Sequence, residues 1–314
     1  MSEAFLKIVR IGLFVVALTI VVFVLLGVCG DFWWGFDLLS HFRLQYLVVL
    51  AIVAVCSIVL KARGVTIFAG FFSVLLAGSL LPYLPIKAKH ENSVGLKLLS
   101  FNVFTSNQNH SQVIDLIRAS GPDIIVLYEV DFSWMRSLSA LKNEYSTAIE
   151  EPRDDNFGIV MLVKGLKVKA EIKNFGLAKV PSVVARVDDS KFTGLLVATH
   201  PVPPMGRMRS ELRDQQISEI AKFVWDGKPA EAVVVGDLNA SPWSRAFRML
   251  TRVGLRDARR GYGISPTWKR SLPWIAIPID HALVGEFIEV LDFKVLESAG
   301  SDHNGILMTF RKTN

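Results

Sequence analysis

Three long apolar stretches, about residues 11–30, 44–60 and 65–86, fill most of the first 86 positions and constrain the chain more than any other feature. Each is long enough to cross ~30 Å of hydrocarbon as a helix. Three of them joined by short polar hinges leave no polar face for a water-soluble bundle. The sequence therefore predicts a membrane anchor over 1–86 with three transmembrane helices and the lipid bilayer as its partner. Only five of the 35 Lys+Arg and three of the 29 Asp+Glu lie here. Lys7 and Arg10 precede the first stretch and Lys61 and Arg63 sit in the second hinge. The first hinge carries Asp31 and Asp37 against Arg43, with Trp33 and Trp34 read as exposed. The preference of basic loops for the cytoplasm then puts the N-terminus inside, and three spans put everything after about residue 87 outside the cytoplasm.

Beyond a linker at 87–94, residues 95–314 have the balanced charge of an ordinary globular domain. Both cysteines, Cys29 and Cys56, lie in the anchor, so this domain contains no cysteine metal site. Short apolar runs alternate with polar helical stretches, the mark of an α/β domain. Strands are expected at 96–103, 124–127, 158–164, 168–172, 182–187, 192–199, 232–235, 277–284, 290–295 and 306–310. Helices are expected at 111–119 and 208–224.

Polar residues cluster at the ends of these strands, where a rigid sheet can aim them into one site. Asn102 follows the first run, Glu129 the second, His200 the Leu195–Ala198 run, and Asp237 and Asn239 the Ala232–Val235 run. Asp280 and His281 follow Ile277–Ile279, and Ser301, Asp302 and His303 precede the last run. Singly, each could be a turn or helix cap. Together they supply what phosphoester hydrolysis needs: carboxylates for a hard divalent cation, amides and imidazoles for phosphoryl oxygens, and a base for water. Glu129 and Asp302 suit magnesium. Zinc would want a closer set of His or Cys.

In order, SFNV, PDIIVLYEV, ATHPVPP, VVVGDLNASP, PIDHALV and GSDHNGILM resemble the endonuclease/exonuclease/phosphatase superfamily over about residues 95–312. The resemblance implies a four-layer α/β/β/α sandwich of the deoxyribonuclease I type. It also implies roles: Glu129, Asn102 and Asp302 on the metal side, with Mg2+ or Mn2+ as cofactor, and Asp237 orienting or deprotonating the attacking water. Asn239 would hold a phosphate oxygen, His303 would contact the phosphate, Asp280 would set its tautomer, and His200 would lie near the phosphate or leaving group. Tyr128 stands where many members have Gln. His281 points to the other strand face and is expected to be structural.

Three apolar stretches before such a domain, with the THPVPP segment, are similar to a bacterial membrane-anchored branch that includes the teicoplanin-resistance membrane protein. This implies a bacterial inner-membrane, multi-pass protein acting on a lipid-linked phosphate or diphosphate of the cell envelope. Arg207, Arg209 and Arg245 are candidate phosphate contacts, and Arg245, Arg248 and Arg252 recur at helical spacing. The same cations could instead grip nucleic acid, which keeps a nuclease as the alternative, or they could form a solvated helix face. A third reading is a catalytically inactive envelope scaffold, against which the intact polar set argues. No protein partner is expected, and Trp243, Trp268 and Trp274 are read as core or interfacial anchors.

Overall fold

A computed structural model describes residues 2–87, 94–269 and 271–313. The chain forms two compact units, Met1–Leu84 and Pro85–Asn314. Most of the expected 87–94 linker lies outside the described residues.

The first unit is helical: α1 (Glu3–Val28), α2 (Trp34–Leu39), α3 (Arg43–Val59) and α4 (Arg63–Leu80), the last followed by a 3₁₀ turn, Leu81–Tyr83. Three helical runs, Glu3–Val28, Trp34–Val59 and Arg63–Tyr83, are long and apolar enough to cross a membrane. They pack through Ala17, Leu50, Val53, Ala69 and Leu76. Arg10 donates from Nε and Nη2 to the Leu60 carbonyl (3.0 and 2.7 Å), closing the end of α3.

The first hinge differs from the sequence reading. It folds into α2, and Asp37, Ser40 and His41 are buried. Close approach explains this: a Cβ on Gly27 would lie 3.0 Å from the Ser40 nitrogen, and one on Gly30 2.9 Å from the Asp37 Cα. Hydropathy marks the apolar stretch but not this contact, so the second helical run begins well before residue 44.

The second unit runs β1 (Leu96–Asn102), α5 (His110–Ser120), β2 (Ile124–Tyr128), α6 (Phe132–Leu138), β3 (Ser146–Glu151), β4 (Ile159–Val163), β5 (Lys167–Asn174), β6 (Pro181–Asp188), β7 (Thr193–Thr199), α7 (Arg207–Asp226), β8 (Ala232–Asp237), α8 (Arg245–Arg252), β9 (Arg256–Asp257), β10 (Asp280–Val284), β11 (Ile288–Val295) and β12 (Ile306–Lys312). The strands form two six-stranded sheets, ordered β11-β12-β1-β2-β4-β3 and β5-β6-β7-β8-β10-β9. One core lies between them, from Leu98, Val126 and Met161 to Ala185, Val233 and Ala282. Two more lie outside, where α5 and α6 cover the first sheet and α7 and α8 the second. This is the four-layer sandwich. Strands covered on both faces need unbroken apolar runs, and β2 and β8 are buried at every position.

Two strands lacked an apolar signal. β3 (Ser-Thr-Ala-Ile-Glu-Glu) is an edge strand whose Ser, Thr and Glu face water, as edges that resist further pairing commonly do. β9 is only two residues long.

Two parallel pairings place the site. β1 lies beside β2 with Asn102 opposite Tyr128, and β7 beside β8 with Ala198 opposite Val235. β10 runs back along β8 with Asp280 opposite Asp237. The polar ends of five strands therefore meet at one end of the sandwich.

Candidate active site

Asp237 is the hub. Fully buried at the end of β8, its Oδ2 lies 3.2 Å from Asn102 Nδ2, 3.3 Å from His200 Nε2 and 3.6 Å from His303 Nε2. Its Oδ1 accepts from the Asn239 backbone N–H at 2.9 Å. Gly236 makes room for this turn: a Cβ there would stand 1.9 Å from the Thr199 carbonyl oxygen, and φ is +151°.

Asn102 joins Asp237 to Glu129, donating from Nδ2 to Glu129 Oε1 at 2.9 Å as well. Glu129 has φ +61°, a left-handed conformation that is unusual for a glutamate. It is held there by Thr105, whose N–H donates to Oε2 (3.2 Å) and whose Oγ1 donates to the Glu129 carbonyl (3.0 Å). His303 Nδ1 is 2.9 Å from Asp280 Oδ2. The backbone of Asp280 is held by Arg259 Nη2 on its carbonyl (2.7 Å) and Thr267 Oγ1 on its N–H (3.1 Å). Asn239 Nδ2 donates to the Pro201 carbonyl (3.0 Å), and its own carbonyl accepts from the buried Arg213 Nη1 (3.0 Å).

The electrostatics follow from these contacts. Burial would push His303 down, but the Asp280 and Asp237 carboxylates override it and hold the imidazole up at about 10. Burial likewise opposes charge on Asp237, yet the His303 charge and the His200 hydrogen bond hold its carboxyl well below the usual range. His200 is raised despite its burial by its contact with Asp237. The result is a carboxylate between two imidazoles that carry or attract protons.

Asp237, Asp280 and His303 each place a potential ligand atom within 4.8 Å of the others. Within this trio both His303 ring nitrogens already face carboxylates, Nδ1 on Asp280 and Nε2 towards Asp237. Glu129 suits a hard divalent cation: it is half-buried, and each carboxylate oxygen is engaged by one hydrogen bond with lone pairs left over. Asn102 stands beside it. Asp302 is half-buried and accepts from Trp268 Nε1 at 3.0 Å, while Ser301 Oγ ties the same segment to the Asn102 carbonyl at 2.8 Å.

Two of the arginines expected on phosphate meet acids of α7. Arg207 pairs with Glu211 on the exposed face of α7 (2.8 Å), and Arg245 faces Asp214 (3.8 Å). Arg209 is half-exposed on α7. Helical spacing shows which arginines share a face, but the next helix decides what that face meets.

Sequence reasoning passed over Thr105 and Thr267 and gave no supporting role to Ser301, Arg259 or Trp268, all of which hold the site. Only the proximity of Thr105 and Ser301 to the strong motifs hinted at them. Tyr128 is fully buried; Ser100 Oγ donates to its hydroxyl (3.3 Å), which donates to the Val235 carbonyl (3.2 Å), joining the two sheets beneath Asp237. His281 lies on the other face of β10, its Nε2 bonded to the Ala240 carbonyl at 2.7 Å and its ring against Phe247.

Two sheets converging on an Asp–His–Asn–Glu constellation define a hydrolase of phosphoesters. The chain belongs to the Endonuclease/Exonuclease/phosphatase family, which matches residues 99–303. No curated protein matches it in sequence. Solved structures share the fold at low identity. TDP2 of D. rerio, complexed with single strand DNA product, is 18% identical with a TM-score of 0.57, covering 70% of this chain and 100% of that one. The human Nocturnin catalytic domain with bound sulfate is 16% identical, TM-score 0.56, covering 70% and 94%. The 3'-5' exonuclease NExo of Neisseria meningitidis is 17% identical, TM-score 0.56, covering 69% and 100%.

Proposed function

We propose that the protein is a membrane-anchored, magnesium-dependent phosphoesterase of the bacterial inner membrane, with its catalytic unit outside the cytoplasm, acting on a lipid-linked phosphate or diphosphate of the cell envelope. The observation that carries this reading is the pairing, in one chain, of a complete phosphoester-hydrolysis constellation around Asp237 with three helices long enough to cross a bilayer. An active site tethered to a membrane meets lipid head groups at high effective concentration.

In this reading Asp237 orients a water for in-line attack on phosphorus. Its carboxylate, held ionised between His303 and His200, accepts the hydrogen bond that aims this water. His303, kept cationic by Asp280, lies against a phosphoryl oxygen and stabilises the charge that builds there. Asn239 and His200 hold the remaining oxygens or the leaving group. Glu129 with Asn102 beside it, together with Asp302, would hold the magnesium ion, which would neutralise phosphoryl charge.

A nuclease is the second reading, supported by the fold shared with TDP2 solved with single strand DNA product. One assay separates the two. The solubilised full chain is offered a polyprenyl diphosphate and plasmid DNA in parallel, with magnesium or a chelator, and Asp237→Ala is the blank. Magnesium-dependent phosphate release from the lipid, lost in the variant, is the expected result. DNA nicking alone would replace the lipid reading with the nuclease.

A further inference from the structure

Of the three tryptophans left open by the sequence, the structure buries Trp243 and bonds Trp268 to Asp302. Trp274 is different: it is 70% exposed, within a 3₁₀ turn, Pro273–Ile275, whose neighbour Ile275 is also exposed. This turn precedes β10, and Asp280 pairs with Asp237, so it lies on the loop that enters the site. On the loop that leaves the site after His200, Met205 is 66% exposed, and Met208, in the first turn of α7, is 70% exposed. Two apolar tips thus lie on the segments that leave β7 and enter β10 at the Asp237 end of the second sheet. Leu177, on the β5–β6 turn at the same end of this sheet, is exposed as well, whereas Trp225 lies at the far end of α7 and Phe287 between β10 and β11.

Cations accompany the tips. Arg207 and Arg209 flank Met208, and Lys269 precedes the Trp274 turn with its Nζ 5.8 Å from the Trp268 ring centre. Glu211 offsets Arg207 through an exposed pair worth little in water. Tryptophan and methionine tips edged by Arg and Lys fit the boundary between head groups and acyl chains: the aromatic and thioether groups enter the apolar layer while the cations stay with lipid phosphates.

We infer that the Met205–Met208 and Pro273–Ile275 tips form an interfacial docking surface by which the catalytic unit settles on an anionic bilayer, with the Asp237 site facing the lipid. The occupant is a lipid surface because the tips combine apolar and cationic groups, and because the same chain holds three helices able to span a bilayer. The inference rests on the lipid-substrate reading for its purpose, but its physical content is independent.

The test uses the full chain in nanodiscs of phosphatidylcholine, with or without phosphatidylglycerol, and with acyl chains brominated near the head group. The difference in tryptophan emission between wild type and Trp274→Phe isolates Trp274 from the other six tryptophans. Bromination is expected to cut that difference by about twofold or more, most strongly with phosphatidylglycerol present. A difference signal indifferent to bromination overturns docking, whatever the substrate. In the same nanodiscs the Met205→Asp/Trp274→Asp double variant is expected to lose about tenfold in turnover of an embedded polyprenyl diphosphate, while a soluble p-nitrophenyl phosphoester is turned over as before. Equal loss in both assays, or loss in neither, overturns the inference. A wild type that never cleaves the lipid removes the substrate reading, and quenching still decides docking. Self-association through the tips without quenching would assign them to a second copy and overturn the lipid surface.

Discussion

The site's side chains show how neighbours rather than residue types set chemistry. Asp237 and Asp280 are both buried aspartates at adjacent strand ends, yet one faces two imidazoles and an amide while the other faces a single histidine nitrogen. Tyr128 replaces the Gln common in the family and bonds across the sandwich. Tyr128→Phe keeps its packing but removes the hydroxyl, and is expected to cost about 1 kcal/mol of stability, read as a lowered melting temperature. His281 carries a pH signature. Burial first, and the nearby Arg259 charge second, hold it well below the ordinary histidine value of 6.5. Its folded-state pKa lies below the unfolded one, so the unfolded chain takes up the extra proton. The stability contributed by the neutral ring is fully present above pH 6.5 and is lost as pH falls from there towards the depressed value. Melting temperature is therefore expected to drop between about pH 7 and pH 5, and His281→Gln should flatten part of that slope. An unchanged slope in the variant would show that His281 is not its source.

At the scale of elements, the site is built from strand ends held in register, so backbone substitutions reach it without touching a catalytic group. Gly236 is the sharpest case, because a Cβ there would collide with the Thr199 carbonyl on β7. Gly236→Ala is expected to destabilise the protein by about 2 kcal/mol or more and to lower kcat by parting β7 from β8. Denaturation midpoints and kinetics on the same preparations check it. The apolar runs of β1, β2, β7 and β8 are legible in the sequence because both faces of those strands are covered. β3 was not, because an edge strand with one wet face needs no apolar run. The helix inside the first hinge was not legible either, since glycine-mediated contact with α1, and not local composition, holds it.

For the whole molecule, the two units have separate cores, and the proposed function draws on both. If the three helical runs span the membrane with the N-terminus inside, a reporter fused after Asn314 should be active only outside the cytoplasm; cytoplasmic activity would invert the topology. Chelation of divalent metal should abolish turnover, with magnesium restoring it, while the fold measured by circular dichroism stays intact. The core between the sheets needs no ion to close it, whereas Glu129 and Asp302 lie at its rim.

By itself the sequence determined three helices long and apolar enough to cross a membrane, the α/β class, and which polar residues close the strands, among them Asn102, Glu129, Asp237, Asn239, Asp280 and His303, because apolar runs and polar strand ends are local patterns. Tertiary structure alone decided which of these meet. It drew His200, His303 and Asn102 onto one carboxylate, turned Arg207 and Arg245 towards acids on α7, and left Trp274 in solvent while burying Trp243. The reason is that strand pairing and helix packing join residues more than a hundred positions apart, as with Asn102 and Asp237, and no window along the chain contains both.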